Sequence, residues 1–317
     1  MILADFPADF LRVCALLFGL TWGSFLNVVI YRLPREMSIV RPASHCPSCG
    51  RPIKAYQNIP VLSWLLMRGR ARCCGAKVSV RYLLVELTGG VLSLAVLEVL
   101  VLTLPNATPA IHGLAIYVAY LALVLGLVAA TFIDLEHMIV PDSISIGGTV
   151  LGVATFSLRD MTLVEAAIGA VGGFLLVWLP FCVIYPRLRG KVGMGLGDAK
   201  LVMLAGAWLG WQGAVLVLGA GAVQGTLAAL IVMASGKQLD DPEAVKLERA
   251  QLQEELESLP DDERAAIEAE ILKDPLAAAP DQGWSQARIA FGPFLILATL
   301  ECLFIGRERI VGWLLQG

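Results

Sequence analysis

The sequence predicts an all-α polytopic membrane protein of about eight transmembrane helices, with a small cytoplasmic loop domain between helices 1 and 2. Three observations predict it. The chain is 57% hydrophobic and only 16% charged, with a mean hydropathy of +0.73; soluble domains carry about 25% charged residues. The charges are segregated: residues 32–82 hold ten Lys or Arg against one acid, Glu36, whereas 236–287 is acidic. The remainder falls into apolar stretches near the roughly 20 residues that cross a bilayer. Segregation also makes the net charge of −3 a poor guide to partners. The lipid bilayer is the expected surrounding, and no nucleic-acid partner is expected.

In chain order, the first stretch, 9–31, has neither a basic start nor a small-residue cleavage site, so it is expected to be a retained span rather than a signal peptide. Further spans are expected at 83–104, 114–133, 143–158, 163–185, 199–211, 213–235 and 288–305. The run Leu201–Ser235 carries no charge in 35 residues. One helix of that length would reach about 50 Å, too long for a core of roughly 30 Å. Two helices are therefore expected, turning near Gly210-Trp211-Gln212-Gly213.

Orientation follows from the basic loop. Arg32, Arg35, Arg41, Arg51, Lys54, Arg68, Arg70, Arg72, Lys77 and Arg81 place it in the cytoplasm by the positive-inside rule. Residues 134–142 and 186–198 then lie on the same side, and Arg187, Arg189 and Lys191 agree. So does 236–287, whose composition predicts a solvated helical insert with breaks at Pro242, Pro260 and Pro275.

Two acids stand out. Asp134 closes the third span and Asp198, in Gly195-Leu196-Gly197-Asp198, opens the sixth. Both are expected at one depth, near the inner boundary. A close carboxylate pair holds one proton and splits acid and base work between its members, the requirement for hydrolysing a peptide bond without a covalent intermediate. Gly195 and Gly197 would allow a sharp turn and the close approach of a substrate strand. The plainer alternatives are that Asp198 is an N-cap and Asp134 a solvated loop residue.

Cysteines mark the basic loop. Cys46 and Cys49 form a Cys-x2-Cys pair, and Cys73 and Cys74 follow. A reducing compartment disfavours disulfides, so a structural zinc is expected, with a metal-free loop as the alternative. His45 is a further ligand candidate. Cys14, Cys182 and Cys302 lie in apolar spans as small core residues. Among the other acids, Glu86 is expected to pair with an arginine, and Glu98, Glu165 and Glu301 to sit near span ends.

The stretches GSFLNVVIYRLP (23–34), CPSCGRPIKAYQNIPVLSWLLMRGR (46–70), RYLLVELTGG (81–90), FIDLEHMIVPD (132–142) and GMGLGDAKL (193–201) together resemble the bacterial type IV prepilin peptidases, GxGD-type membrane aspartic proteases. The resemblance covers nearly the whole chain. It implies that Asp134 and Asp198 are the catalytic pair, and that the substrates are prepilins of type IV pili or pseudopilins of type II secretion. It implies cleavage at the cytoplasmic face of the inner membrane, after a glycine, and N-methylation of the new terminus with S-adenosylmethionine. The methyltransferase role maps to the loop and to Gly69. The implied divisions are a first transmembrane helix at 1–33, a cysteine-containing methyltransferase domain at 34–82, a peptidase domain at 83–235 with 288–317, and the insert at 236–287.

The chain departs from the family where a second Cys-x2-Cys pair is usual. Position 71 is Ala71, Cys74 matches the last ligand, and Cys73 is the substitute. A peptidase that has lost methylation stays open on that ground. Asp142 also matches the family and is expected first as a helix N-cap. The rival function class is an ion-coupled transporter using Asp134 and Asp198. Transport sites sit near mid-bilayer between internal repeats, whereas these acids fall at the inner edge and no repeat is evident. A zinc-stabilised scaffold without chemistry is the third class, and the GxGD segment argues against it.

Overall fold

The computed structural model describes residues 1–46, 48–54, 57–189, 193–235, 242–257, 260, 264, 267 and 289–306. Among these there is no strand, only isolated bridges such as His45–Pro52 and Arg70–Lys77. The all-helical expectation therefore holds. The count of eight crossings is not confirmed. Among the described residues, five helices are long and apolar enough to cross a membrane: Ala8–Arg35, Val80–Val101, Ala110–His137, Leu163–Arg189 and Leu196–Ala234. Two expected spans are shorter apolar helices, Asp142–Ala154 and Gly292–Gly306. The 13 residues of the first reach only about 20 Å. The last long helix contains both arms expected at 199–211 and 213–235.

The chain forms two compact units, Met1–Phe132 and Ile133–Gly317. In the first, helix α1 (Ala8–Arg32) leads through the basic loop and a short α2 (Leu62–Leu66) to α3 (Val80–Val96). α3 runs on through a π-turn, Leu97–Val101. Small residues let α1 and α3 approach closely, the usual device of helix pairs in lipid. The Ser93 hydroxyl donates to Ala15 O at 2.5 Å and meets the Tyr117 hydroxyl at 2.7 Å. Glu86 is not held by the expected arginine. It accepts the Val61 backbone N–H at 2.7 Å and the Ser24 hydroxyl. Val61 is a β-branched residue at φ +63°, a conformation costing about 1–3 kcal/mol that surrounding structure must fix. The buried carboxylate anchors that turn, and with it α2. Glu98 pairs with Arg12 at 2.5 Å near the other end of the hairpin.

Helix α4 (Ala110–His137) begins in the first unit and ends in the second. The second unit continues with α5 (Asp142–Ala154) and α6 (Leu163–Val177). Thr162 and Glu165 start α6 as a reciprocal capping box. A π-segment, Trp178–Ile184, carries Pro180 and leads into α7 (Tyr185–Arg189). Proline lacks the N–H of a regular turn, and the wider turn absorbs that loss. Next come α8 (Leu196–Ala234), α9 (Glu243–Glu257) and α10 (Gly292–Glu301). α9 starts directly after Pro242, as expected for the insert. Pro275 lies outside the described residues.

α8 breaks where its length required. Gly210 has φ 74° and ψ 177°, a region open essentially to glycine alone. The first arm packs on α6 with backbones nearly touching. A Cβ built on Gly169 would stand 2.9 Å from the Gly206 carbonyl carbon, and one on Gly173 would stand 2.5 Å from Val202 O. Gly206→Val is therefore expected to overpack this crossing by about 1–3 kcal/mol. Thermal unfolding in detergent should show a midpoint several degrees lower; an unchanged midpoint would reject the close approach.

Candidate active site and metal centre

Asp134 lies one turn from the end of α4 and is 6% exposed. The helix stops because Met138 turns to φ +53° while its N–H still bonds Asp134 O at 2.9 Å. The chain then runs through Val140 and Pro141 into α5. Asp142 is the first residue of α5, with Pro141 as the N-cap. The N-cap expected at Asp142 is thus displaced by one residue. Its carboxylate instead takes Lys200 Nζ at 2.5 Å, tying the start of α5 to the start of α8.

Asp198 is not the N-cap of α8; Gly195 is. Asp198 stands at the third helical position. Its backbone N–H reaches Gly195 O at 3.2 Å. Gly195 has φ −68° and ψ 146°, ordinary extended backbone, so the sharp turn expected there does not require glycine. Gly197 does have a steric reason. A Cβ there would stand 3.1 Å from Val140 Cβ, in the segment that follows Asp134. The Gly197–Val140 contact and the Lys200–Asp142 pair bring the end of α4 against the first turn of α8. Asp134 is on the last turn of α4 and Asp198 on the first turn of α8.

A third segment completes this end of the unit. The start of α10 packs against the Asp134 carboxylate, where a Cβ on Gly292 would stand 3.1 Å from Asp134 Cγ. Sequence reading passed over Gly292. The Gly292-Pro293 step opening an apolar run marks a helix start and was the available signal. Glu136 and His137 flank Asp134 on the last turn of α4, with His137 buried.

In the basic loop, the sulfurs of Cys46, Cys49, Cys73 and Cys74 all lie within 4.8 Å of one another. Cys46–Cys74, Cys49–Cys73 and Cys73–Cys74 are 3.7, 3.4 and 3.9 Å apart. Four sulfurs about 2.3 Å from a tetrahedral zinc stand about 3.8 Å apart, so the donor set fits. His45 is turned to Ala43 O at 3.2 Å and is outside the cluster.

Two similar turns carry the sulfurs. Cys46 N–H bonds Arg51 O and Gly50 N–H bonds Cys46 O, each at 2.8 Å. Ala71 N–H bonds Ala76 O and Gly75 N–H bonds Ala71 O, also at 2.8 Å. Gly50 and Gly75 have φ +70° and +73°, and a bridge closes each turn. Ala71 therefore stands where Cys46 stands, and Cys74 where Cys49 stands. Cys73 fills the place left by Ala71 from elsewhere in the second turn. The Cys46 thiol is lowered to about 6 by the backbone N–H groups of Ser48 and Cys49, while Cys73 is pushed up to about 12 by its thiol neighbours, Cys49 first. The thiolate is the form that binds metal.

Gly69 has φ +67°, and a Cβ there would stand 3.0 Å from the Trp64 ring. Its missing side chain thus makes room for Trp64, whose indole N–H donates to Val78 O at 3.3 Å. The described surroundings of Gly69 supply a packing reason for glycine and no donor set for S-adenosylmethionine.

Comparison with known proteins places these features. The Bacterial Peptidase A24 N-terminal domain matches residues 17–100, and the Type IV leader peptidase family matches 121–230. A protein from Aeromonas hydrophila named prepilin leader peptidase/N-methyltransferase is 42% identical over 222 residues, covering 62% of this chain and 72% of the relative. The chain belongs to the type IV leader peptidase family. A relative of the same name from Neisseria gonorrhoeae is 38% identical over 224 residues, covering 62% and 73%. One from Myxococcus xanthus is 43% identical over 195 residues, covering 61% and 55%. No solved structure matches. Within this leader peptidase, Asp134 and Asp198 fall in the peptidase match and the four cysteines in the N-terminal domain match.

Proposed function

We propose that this chain is a prepilin leader peptidase and N-methyltransferase of the bacterial inner membrane, with its active site facing the cytoplasm. The observation that supports the reading is the joining of the end of α4, which carries Asp134, to the first turn of α8, which carries Asp198, through the Gly197–Val140 contact and the Lys200–Asp142 pair. The positive loop at 32–82 supports the orientation. The substrates are prepilins or pseudopilins. Residues 34–82 serve methylation, 83–235 with 288–317 serve proteolysis, and 236–287 is an accessory insert.

The aspartates share one proton. The ionised carboxylate takes a proton from water, and the water oxygen bonds to the scissile carbonyl carbon. The protonated carboxyl gives its proton to the carbonyl oxygen. The C–N bond then breaks, the proton taken from water passes to the leaving amine, and the diol proton returns to the pair. The sum is one water consumed, with the enzyme restored. Asp142 and Lys200 hold the two supporting helices in register.

S-adenosylmethionine would supply the methyl group for the new N-terminal amine, and Gly69 serves that activity by packing on Trp64. Cys46, Cys49, Cys73 and Cys74 would hold zinc, which cross-links the two turns of the loop. The test is incubation of the purified protein with a prepilin, with and without S-adenosylmethionine, followed by mass spectrometry. Loss of the leader is expected in both, with one added methyl only when the donor is present. Uncleaved prepilin overturns the reading. Cleavage with an unmodified amine reduces it to a peptidase alone.

A further inference from the structure

The start of α10 is unusual in what it presents to Asp134. Gly292 is the first residue of the helix and Pro293 follows. A Cβ built on Gly292 would collide with Asp134 Oδ2, and would stand 3.1 Å from its Cγ and 3.3 Å from Leu201 Cδ1. Leu201 is on the same arm of α8 as Asp198, three residues on and nearly fully buried. A Cβ on Gly292 would make the carboxylate turn away from the place it holds. Gly292 has no positive φ, so its backbone does not demand glycine. The demand comes from the carboxylate.

We propose that Gly292 is a positioning residue for proteolysis: its lack of a side chain leaves the Asp134 carboxylate the space it occupies. The inference rests on the reading of Asp134 as a member of the catalytic pair. It adds a third segment to a site otherwise built from the end of α4 and the start of α8. Misplacing a reacting group by about 1 Å costs on the order of 100-fold in rate. A glycine needed only for packing would instead lose stability on substitution by alanine, about 1–3 kcal/mol of overpacking, and leave the rate per folded molecule intact.

The test is Gly292→Ala in the full-length enzyme, with cleavage kinetics on a prepilin and, separately, methylation of an already cleaved pilin. A fall in kcat of about 100-fold is expected, with KM within twofold and methylation unchanged. A kcat within tenfold of the parent overturns the proposal. So does a matched loss of cleavage and methylation, or a rise in KM that accounts for the defect, because each is the mark of general distortion. Asp134→Asn, measured alongside, separates the two readings. If it cleaves normally, the aspartate mechanism itself fails, whatever Gly292→Ala does.

Discussion

Asp198→Asn is expected to lower leader cleavage by about 1,000-fold or more while the protein still accumulates in the membrane, and Asp134→Asn to do the same. General acid or base action contributes roughly 100- to 10,000-fold, and an amide can neither take up nor deliver the proton. Asparagine matches aspartate in shape, so the contacts that join the end of α4 to the start of α8 remain: Gly197 on Val140, and Lys200 on Asp142. The double variant sharpens the expectation. Groups that act as a unit are grossly non-additive, so Asp134→Asn with Asp198→Asn should be no slower than either alone. Two acids with independent structural roles would instead give defects that multiply. The plainer role of Asp198, satisfying the first turn of α8, predicts a different result. Losing a cap costs about 1 kcal/mol of stability and leaves the rate per folded molecule intact. Full cleavage by either single variant would end the aspartic mechanism.

The parts of this site differ in how far the sequence reveals them. The two aspartates were legible because a carboxylate beside a long apolar run is costly and so conspicuous. The break in α8 was legible because 35 uncharged residues exceed one crossing, and Gly210 supplies the backbone that a break needs. The end of α5 was not legible. An apolar window records composition, but α5 is ended after Ala154 by a 3-10 turn, Phe156–Arg159, which the same composition conceals. Gly292 was hidden for a different reason. Its contribution is an empty space beside Asp134, which has no side-chain signature. Glu86 was misassigned because a buried carboxylate is satisfied as well by a backbone N–H as by an arginine, and only the fold brings Val61 to it.

The metal centre is where sequence and structure correct each other most usefully, and it carries the second large effect. Four cysteines were visible, but the irregular spacing left Cys73 in doubt as a ligand. The paired hydrogen bonds of the two turns remove the irregularity by showing which position lost its sulfur: Ala71. Purified protein is accordingly expected to hold about one zinc per chain. Structural zinc contributes about 10–16 kcal/mol to small domains, so stripping it should unfold the loop around α2, seen as faster amide exchange from 45 to 78. Cys73→Ser should lower metal affinity at least tenfold, since second-shell changes alone cost about 10- to 100-fold and this change removes a ligand. Ala71→Cys added to Cys73→Ser rebuilds a regular Cys-x2-Cys pair with Cys74 and should restore the affinity. A generic need for cysteine at 73 would leave the double variant as weak as the single one. Retention of parental zinc affinity by Cys73→Ser would instead show a site of three sulfurs, with Cys73 a bystander held near them by the turn.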